Sequence, residues 1–437
     1  MNHRRSPRPS QGGRALFSCG CAFCVRLQPV PYLLSLIFYL LSFPAVAQAP
    51  SDTAAFDRKA LLKTVRGYAK DDNFSKVDEQ LRRAFSTYAQ AGADAELLRM
   101  EMDAQWQLAL AENKKLFLNS SPDTAAFFAR VLATAQYALR CDSVDQAPDA
   151  HGRIKPHHEK ALGERLRGLR DNLCSGGKYF YKRADYASAW PYLDLYLSLR
   201  HNHLLSQRGN PPPTPDSVQV ARLACISAFC ARQPADALCY MTLAEQDTTV
   251  RLQLMEMQAR AHEQLGQRAE QLAVALQAHE RYPAHDYFAM TLIHHYDSLA
   301  QYREALDVVR HTLAAGGNRR HYAYLAGRMH ESLGDLDSAA FDYQRALDEA
   351  PDDPALHAAM GMLALRQATL LRDRTRAAHL AASDDTRQRL RSYYQEAATQ
   401  LEQARANAPD RPEMWREGLR EAYFRLNRGA DLKTLEQ

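Results

Sequence analysis

A spacing of 34 residues recurs along the second half of this chain and limits it to an array of stacked helical hairpins. Leu265-Gly266-Gln267-Arg268-Ala269 and Leu333-Gly334-Asp335-Leu336-Asp337 lie 68 residues apart, two periods, and the same offset carries Ala278 to Ala346 and Pro283 to Pro351. Midway stands Gln301-Tyr302-Arg303-Glu304-Ala305-Leu306, with Tyr302 and Ala305 at second-helix packing positions. Units therefore begin at 218, 252, 286, 320 and 354. In the clearest one, 320–353, Gly327 is the small residue where the two helices cross closely, and Gly334 ends the first helix in the left-handed conformation that glycine adopts cheaply. Ala339, Tyr343 and Ala346 share one face of the second helix at spacings of four and three, and Pro351 follows its end.

The pattern resembles the tetratricopeptide repeat, although only Trp415 supplies the tryptophan usual near the start of the first helix. That likeness implies an all-α fold, a right-handed α-solenoid of such hairpins, preceded here by an N-terminal helical region. The expected division is 1–47 leader, 48–164 N-terminal helices with a loop at 141–160, and 165–437 repeat array. An outlying unit near 170 rests on Gly176-Gly177-Lys178-Tyr179-Phe180 and Asp185-Tyr186-Ala187-Ser188-Ala189-Trp190, and a loop with Pro211-Pro212-Pro213 separates it from the next. The unit begun at Pro354 has its Ala397, Leu401, Ala404 and Pro409 signature 24 residues late. The 365–390 stretch between is rich in Arg, Ala and Leu without Pro or Gly, which predicts two lengthened helices forming a protruding hairpin. A capping helix over 412–427, with Trp415 at its fourth position, follows. Residues 56–117 read as two or three helices, and Ser121-Pro122 as a helix start with Ser as the cap. No segment alternates with the two-residue period of a strand.

The N-terminus reads as a secretory leader. Arg4, Arg5, Arg8, Arg14 and Arg26 precede the apolar run Tyr32–Leu41, and Pro44-Ala45-Val46-Ala47 places cleavage after Ala47. The alternative is an uncleaved anchor, but the run is about a dozen residues where a span needs roughly 20. The whole chain carries +4 and residues 1–47 carry five arginines and no acid, so the rest carries 4 − 5 = −1. The net basic balance lies in the leader and gives no argument for a nucleic-acid partner. Of eight cysteines, Cys19, Cys21 and Cys24 fall in the leader, and Cys141, Cys174, Cys225, Cys230 and Cys239 remain, mostly as small buried apolar residues, with one bridge possible.

Residues from about 115 onward also resemble a group of exported tetratricopeptide proteins of Bacteroidota. The carrying stretches are Ser121-Pro122-Asp123-Thr124 with Phe127-Phe128, Cys141-Asp142-Ser143-Val144-Asp145, Asn172-Leu173-Cys174-Ser175-Gly176-Gly177 and Ala408-Pro409-Asp410 through Trp415 to Tyr423. The resemblance implies a periplasmic or outer-membrane-associated setting and no particular activity.

Motifs for catalysis are missing. His294-His295 point about 100° apart on a helix, and His262-Glu263 and His330-Glu331 lack the second histidine of a zinc helix, so no metal or other cofactor is expected. Neither a G-x-S-x-G elbow nor a phosphate loop occurs. In tetratricopeptide arrays, positions 2, 5, 9, 12 and 13 of the first helix face the concave side. They correspond here to Gln253, Glu256, Arg260 and Glu263, then Tyr287, Met290, His294 and Asp297, then His321, Tyr324, Arg328 and Glu331. From these, Arg260, Tyr287, Met290, His294, Tyr324 and Arg328 are the candidate partner-binding groove, an aromatic and polar mixture suited to an extended peptide. Glu256 would repel a C-terminal carboxylate, so the clamp of chaperone-binding members is not expected. The sequence thus points to a periplasmic scaffold or adaptor for a protein or peptide partner, with no membrane span after leader cleavage. One alternative is an envelope-assembly component using the convex face or the 365–390 hairpin, whose arginines Arg372, Arg374, Arg376, Arg387, Arg389 and Arg391 could touch an anionic partner or membrane. Another is an unrecognised enzyme or carbohydrate-binding module.

Overall fold

The computed structural model describes residues 56–118, 120–148, 151–205, 214–378 and 383–436. The expected leader and the Pro211-Pro212-Pro213 loop lie outside them. The described residues are helical, with no strand among them. They group into two compact units, 1–169 with 198–207, and 170–197 with 208–437.

The first unit comprises α1 (Arg58–Lys70), α2 (Phe74–Thr87), the short α3 (Ala89–Gly92), α4 (Ala95–Phe117), α5 (Thr124–Asp145) and the first half of α6 (Glu159–Tyr181). Carboxylate and amide side chains satisfy the orphan amides at four of the helix starts: Asp57, Asn73, Asp94 and Asp123 each accept from the first turn. Position 123 corrects the expected start of α5. Asp123, not Ser121, is the cap, because its carboxylate reaches the Ala126 N–H at 2.9 Å. Leu62, Val65, Val77, Leu81, Leu97 and Ala104 form one apolar core. The loop expected over 141–160 is shorter. Cys141 is fully buried, which keeps α5 helical through Asp145. The Asp145 carboxylate then accepts the backbone N–H of both His157 and His158 at 2.7 Å, tying the loop down just before α6.

A polar network crosses this core. Gln105 donates to Asp78 at 2.9 Å and to Glu101 at 2.6 Å, while Arg130 donates to Asp78 at 2.9 Å and to the Gln105 carbonyl at 2.8 Å. Glu101 is fully buried, and its carboxyl is pushed up to about 8 by burial and by the neighbouring Asp78 carboxylate.

The second unit begins with the rest of α6 and α7 (Tyr186–Ser198), the hairpin expected near 170. Next come α8 (Pro215–Cys230) and, in place of one second helix, α9 (Pro234–Leu238) and α10 (Met241–Ala244). At the break the Tyr240 hydroxyl donates to the buried Asp194 carboxylate at 2.7 Å, and burial raises Asp194 to about 6. Three regular hairpins follow: α11 (Arg251–Gln264) with α12 (Arg268–Arg281), α13 (Asp286–Ser298) with α14 (Tyr302–Ala314), and α15 (Arg319–Leu333) with α16 (Leu336–Glu349). Each helix packs mainly on its neighbours in sequence, as in a quasi-one-dimensional array. Phe288, Leu292, Ile293, Val309, Tyr322 and Met329 are interior side chains of their shared core. Gly334 ends α15 at φ 78°, the left-handed conformation expected of it.

The last hairpin differs. α17 (Pro354–Ala377) and α18 (Asp384–Asn407) each run 24 residues, against 13 to 15 for the helices of the three before them. The expected single capping helix is instead a 3-10 turn over Pro412–Met414, α19 (Arg416–Arg425) and a further helix, α20 (Gly429–Glu436). Trp415 sits just before α19, where its indole N–H donates to the Ala408 carbonyl at 2.9 Å. Leu435 of α20 is buried in the same core as Trp415, Leu419 and Tyr423. The last two described helices thus pack as a further hairpin.

The five cysteines of the described residues are free thiols. Cys141, Cys225 and Cys239 are each pushed up to about 12 by burial, whereas Cys230 is exposed. A thiol reagent in excess is therefore expected to label Cys230 first. Intact-mass detection of one fast adduct, lost in Cys230→Ser, checks this; equal labelling of all five would contradict it.

A candidate partner-binding face on the first helices

The six groove candidates sit on the first helices of successive hairpins: Arg260 on α11, Tyr287, Met290 and His294 on α13, Tyr324 and Arg328 on α15. Arg260, His294 and Arg328 are spaced by the repeat itself, and all three are exposed. One turn further along the same helices stand Glu263, Asp297 and Glu331, again one repeat apart. A basic and an acidic row thus run side by side across three hairpins.

Contacts between neighbouring helices stitch the rows together. The Arg260 guanidinium donates twice to Glu256, at 2.9 and 2.7 Å, and lies 4.4 Å above the Tyr287 ring. The Tyr287 hydroxyl donates to Glu263 at 3.2 Å, and burial raises its pKa. Met290 Sδ lies 3.3 Å from His321 Nε2, joining α13 to α15. Arg328 Nη2 stands 4.0 Å from an Asp297 carboxylate oxygen, and Arg366 of α17 donates to Glu331 at 2.9 Å. Half-exposed pairs of this kind are each worth at most about 1 kcal/mol, so they align the side chains more than they stabilise the fold.

The candidates are not equivalent. Tyr324 is half-buried and packs against three of the apolar clusters, with its ring 5.7 Å from that of Tyr343. Its first duty is structural. Tyr287 and Met290 are also half-buried against the core, and His294 and Arg328 project into solvent. One repeat beyond Arg328 comes Met362, exposed at 49%, and four residues later Arg366. Neither is among the candidates expected from the sequence, although the same 34-residue step reaches Met362 before the lengthened region begins.

Elsewhere, His203 Nε2 lies 3.2 Å from Asp142, and among the described residues no group of three His, Cys, Asp or Glu is placed to hold a metal ion. No helix of the described residues is long and apolar enough to cross a membrane.

No family model matches the chain, and no curated protein matches it. Among solved structures it is similar to the MamA protein, at 14% identity over 42% of this chain and 92% of that one, with a TM-score of 0.32. A tetratricopeptide repeat protein from Parabacteroides merdae is similar at 14% identity, over 58% and 98% of the two chains, with a TM-score of 0.32. A TPR repeats protein from Bacteroides fragilis gives 13% identity over 58% and 97%, with a TM-score of 0.27. Identities and scores this low bear on neither activity nor partner. On its own 34-residue register, helix pairing and closely crossing glycines, the second unit is, in its described residues, an all-helical array of tetratricopeptide-type hairpins.

Proposed function

We propose that this chain is an exported, non-enzymatic scaffold that holds an extended segment of a partner protein along the first helices of its central hairpins. The observation that supports this reading is the double row: Arg260, His294 and Arg328 beside Glu263, Asp297 and Glu331, with the Tyr287 ring under Arg260 and Met290 against His321. An extended segment presents backbone donors and acceptors along its length, and rows of carboxylates and of guanidinium and imidazole groups offer partners to both. The aromatic face adds apolar area at small entropic cost. A periplasmic or outer-membrane-associated location belongs to the same proposal and is supported by the leader-like N-terminus.

Substitutions at the exposed members test the reading without disturbing the core. His294→Ala with Arg328→Ala is expected to change stability by no more than about 0.5 kcal/mol per site. Partner affinity is expected to fall roughly tenfold or more, as when about 1.4 kcal/mol of interface contact is removed. Crosslinking in cells followed by mass spectrometry reads the outcome. Should every partner crosslinked by the wild-type chain remain at full yield in the double variant, binding along this face is wrong. Tyr324 is unsuited to the test, because removing it opens the core.

A second reading, a component of an envelope assembly that makes contact through the α17–α18 hairpin, is favoured by one feature. Among the described residues of 369–393, none is buried.

A further inference from the structure

The buried residues of α17 end at Ala368 and those of α18 begin at Tyr394. Beyond those points the two helices continue with no fully buried residue, although Leu390 and Tyr393 on α18 still pack against the core as half-buried side chains. The free part of α17, residues 369–377, is about 14 Å long at 1.5 Å per residue. A two-helix projection with no fully buried residue gains little stability from its own packing.

Its charge is as unusual as its exposure. Residues 366–391 hold seven arginines, no lysine and three acids, a net +4, whereas residues 48–437 as a whole carry −1; the rest of that stretch therefore carries −5. The acids have local roles. Asp384 and Asp385 lie in the first turn of α18, where carboxylates suit the helix dipole, Arg387 pairs with Asp384, and Arg372 Nε lies 3.6 Å from Asp373. Arg366 is engaged by Glu331. Arg374, Arg376, Arg389 and Arg391 are exposed and make no ion pair among the described residues.

The arrangement of these arginines separates two kinds of anionic partner. On α17 they fall at 372, 374 and 376, and on α18 at 387, 389 and 391. Steps of two residues rotate about 200° around a helix, so Arg374 lies opposite Arg372 and Arg376, and Arg389 lies opposite Arg387 and Arg391. A stripe for one face of a docked protein would need steps of three or four. What the sequence builds instead is a collar around a projecting end. A collar meets a plane approached end-on, from whichever side. The acidic remainder is repelled by the same plane and so confines the contact to these arginines.

We propose that the distal part of the α17–α18 hairpin docks end-on to an anionic phospholipid surface, with Arg374, Arg376, Arg389 and Arg391 on the headgroup phosphates. Guanidinium groups suit this because they bind phosphate oxygens in a bidentate way. The contact is electrostatic and peripheral, so it weakens with salt. It uses none of the residues of the α11–α15 face, and each can fail without the other.

Vesicle co-sedimentation of the full chain, lacking only the expected leader, tests it. Wild-type protein is expected to sediment with vesicles containing phosphatidylglycerol, to ignore vesicles of phosphatidylcholine alone, and to be released by salt. Each basic residue near such a surface is worth about fivefold in affinity, so the quadruple variant R374Q/R376Q/R389Q/R391Q should bind on the order of several hundredfold more weakly. Its helical circular dichroism should match the wild type. The matching quadruple lysine variant keeps the charge and should retain binding. Failure of the wild type to sediment, undiminished binding by the glutamine variant, or loss of binding by a folded lysine variant would each overturn the proposal. So would tighter binding to polyglutamate or duplex DNA than to the anionic vesicles at the same salt, which would make the surface a protein or nucleic-acid contact. The His294→Ala, Arg328→Ala variant should sediment like the wild type.

Discussion

Valine in place of Gly327 is expected to destabilise the second unit by about 3 kcal/mol, near the upper end for overpacking a core. Gly327 lies on α15, where any added side chain would overlap the ring of Tyr343 on α16. That ring is 1% exposed, and its hydroxyl donates to Glu331 at 3.0 Å, so it has no free direction in which to move. Helix propensity pulls the other way, since leaving glycine gains up to about 1 kcal/mol in a helix interior, but steric overlap outweighs that gain. Gly168→Ala is the control, because nothing lies within 4 Å of the added carbon there. It should be neutral or stabilise by up to about 1 kcal/mol. Urea denaturation followed by circular dichroism compares the two. An unchanged midpoint for Gly327→Val would mean that the α15–α16 crossing is looser than described.

Glu101→Gln is expected to remove most of the pH dependence of the first unit. Burial, first of all, and the Asp78 carboxylate raise the Glu101 pKa from 4.5 to about 8. A carboxyl raised in the folded state binds its proton more tightly there than in the unfolded chain. Its contribution is fully present below the unfolded value near 4.5 and is lost as pH rises through the folded value near 8. Between pH 5 and 9 that loss is on the order of 3 kcal/mol. Asp78 runs the opposite way. Burial would raise it, but hydrogen bonds with Glu101, Arg82 and Arg130 outweigh burial and lower it, so its contribution fades only in acid. Glutamine at 101 is uncharged at every pH and similar in shape, so the variant should be the more stable protein in alkali. Hydrogen exchange of the α4 amides across this pH range reads the unit directly. Parallel profiles for wild type and variant would show that Glu101 is ionised in the fold.

The regular hairpins were legible because their determinants are local. Ala305 and Ala339 recur one period apart, Ala339 and Ala346 share one helix face, and glycine at 334 marks a turn that no long-range contact needs to enforce. The second helix of the 218 unit was not legible as two short pieces. Its break accompanies the pairing of Tyr240 with Asp194, residues 46 apart whose meeting no spacing rule reveals. The same holds for the end of α5: polar residues 142–145 look like loop, but burial of Cys141 and the reach of Asp145 to the His157 and His158 amides keep them helical. At the candidate face, positions could be assigned from the repeat, and exposure could not. Nothing in the residue types separates Tyr324, held in the core, from His294, left in water. The partners that link one helix to the next, such as Arg366 for Glu331, lie 35 residues apart and emerge only when the helices are stacked.

The equal lengths of α17 and α18 have a consequence for how such a chain can change. Ala346 and Ala404 hold matching places in successive second helices, yet they are 58 residues apart, one period and 24 residues more. Those extra residues went into both arms of one hairpin, away from the core, so Gly361 still meets Leu401 as Gly327 meets Tyr343. Paired growth at a hairpin tip leaves the stacking register untouched. The reach of the projection can therefore be lengthened or trimmed turn by turn over generations, while the hairpins behind it keep the same packing problem already solved.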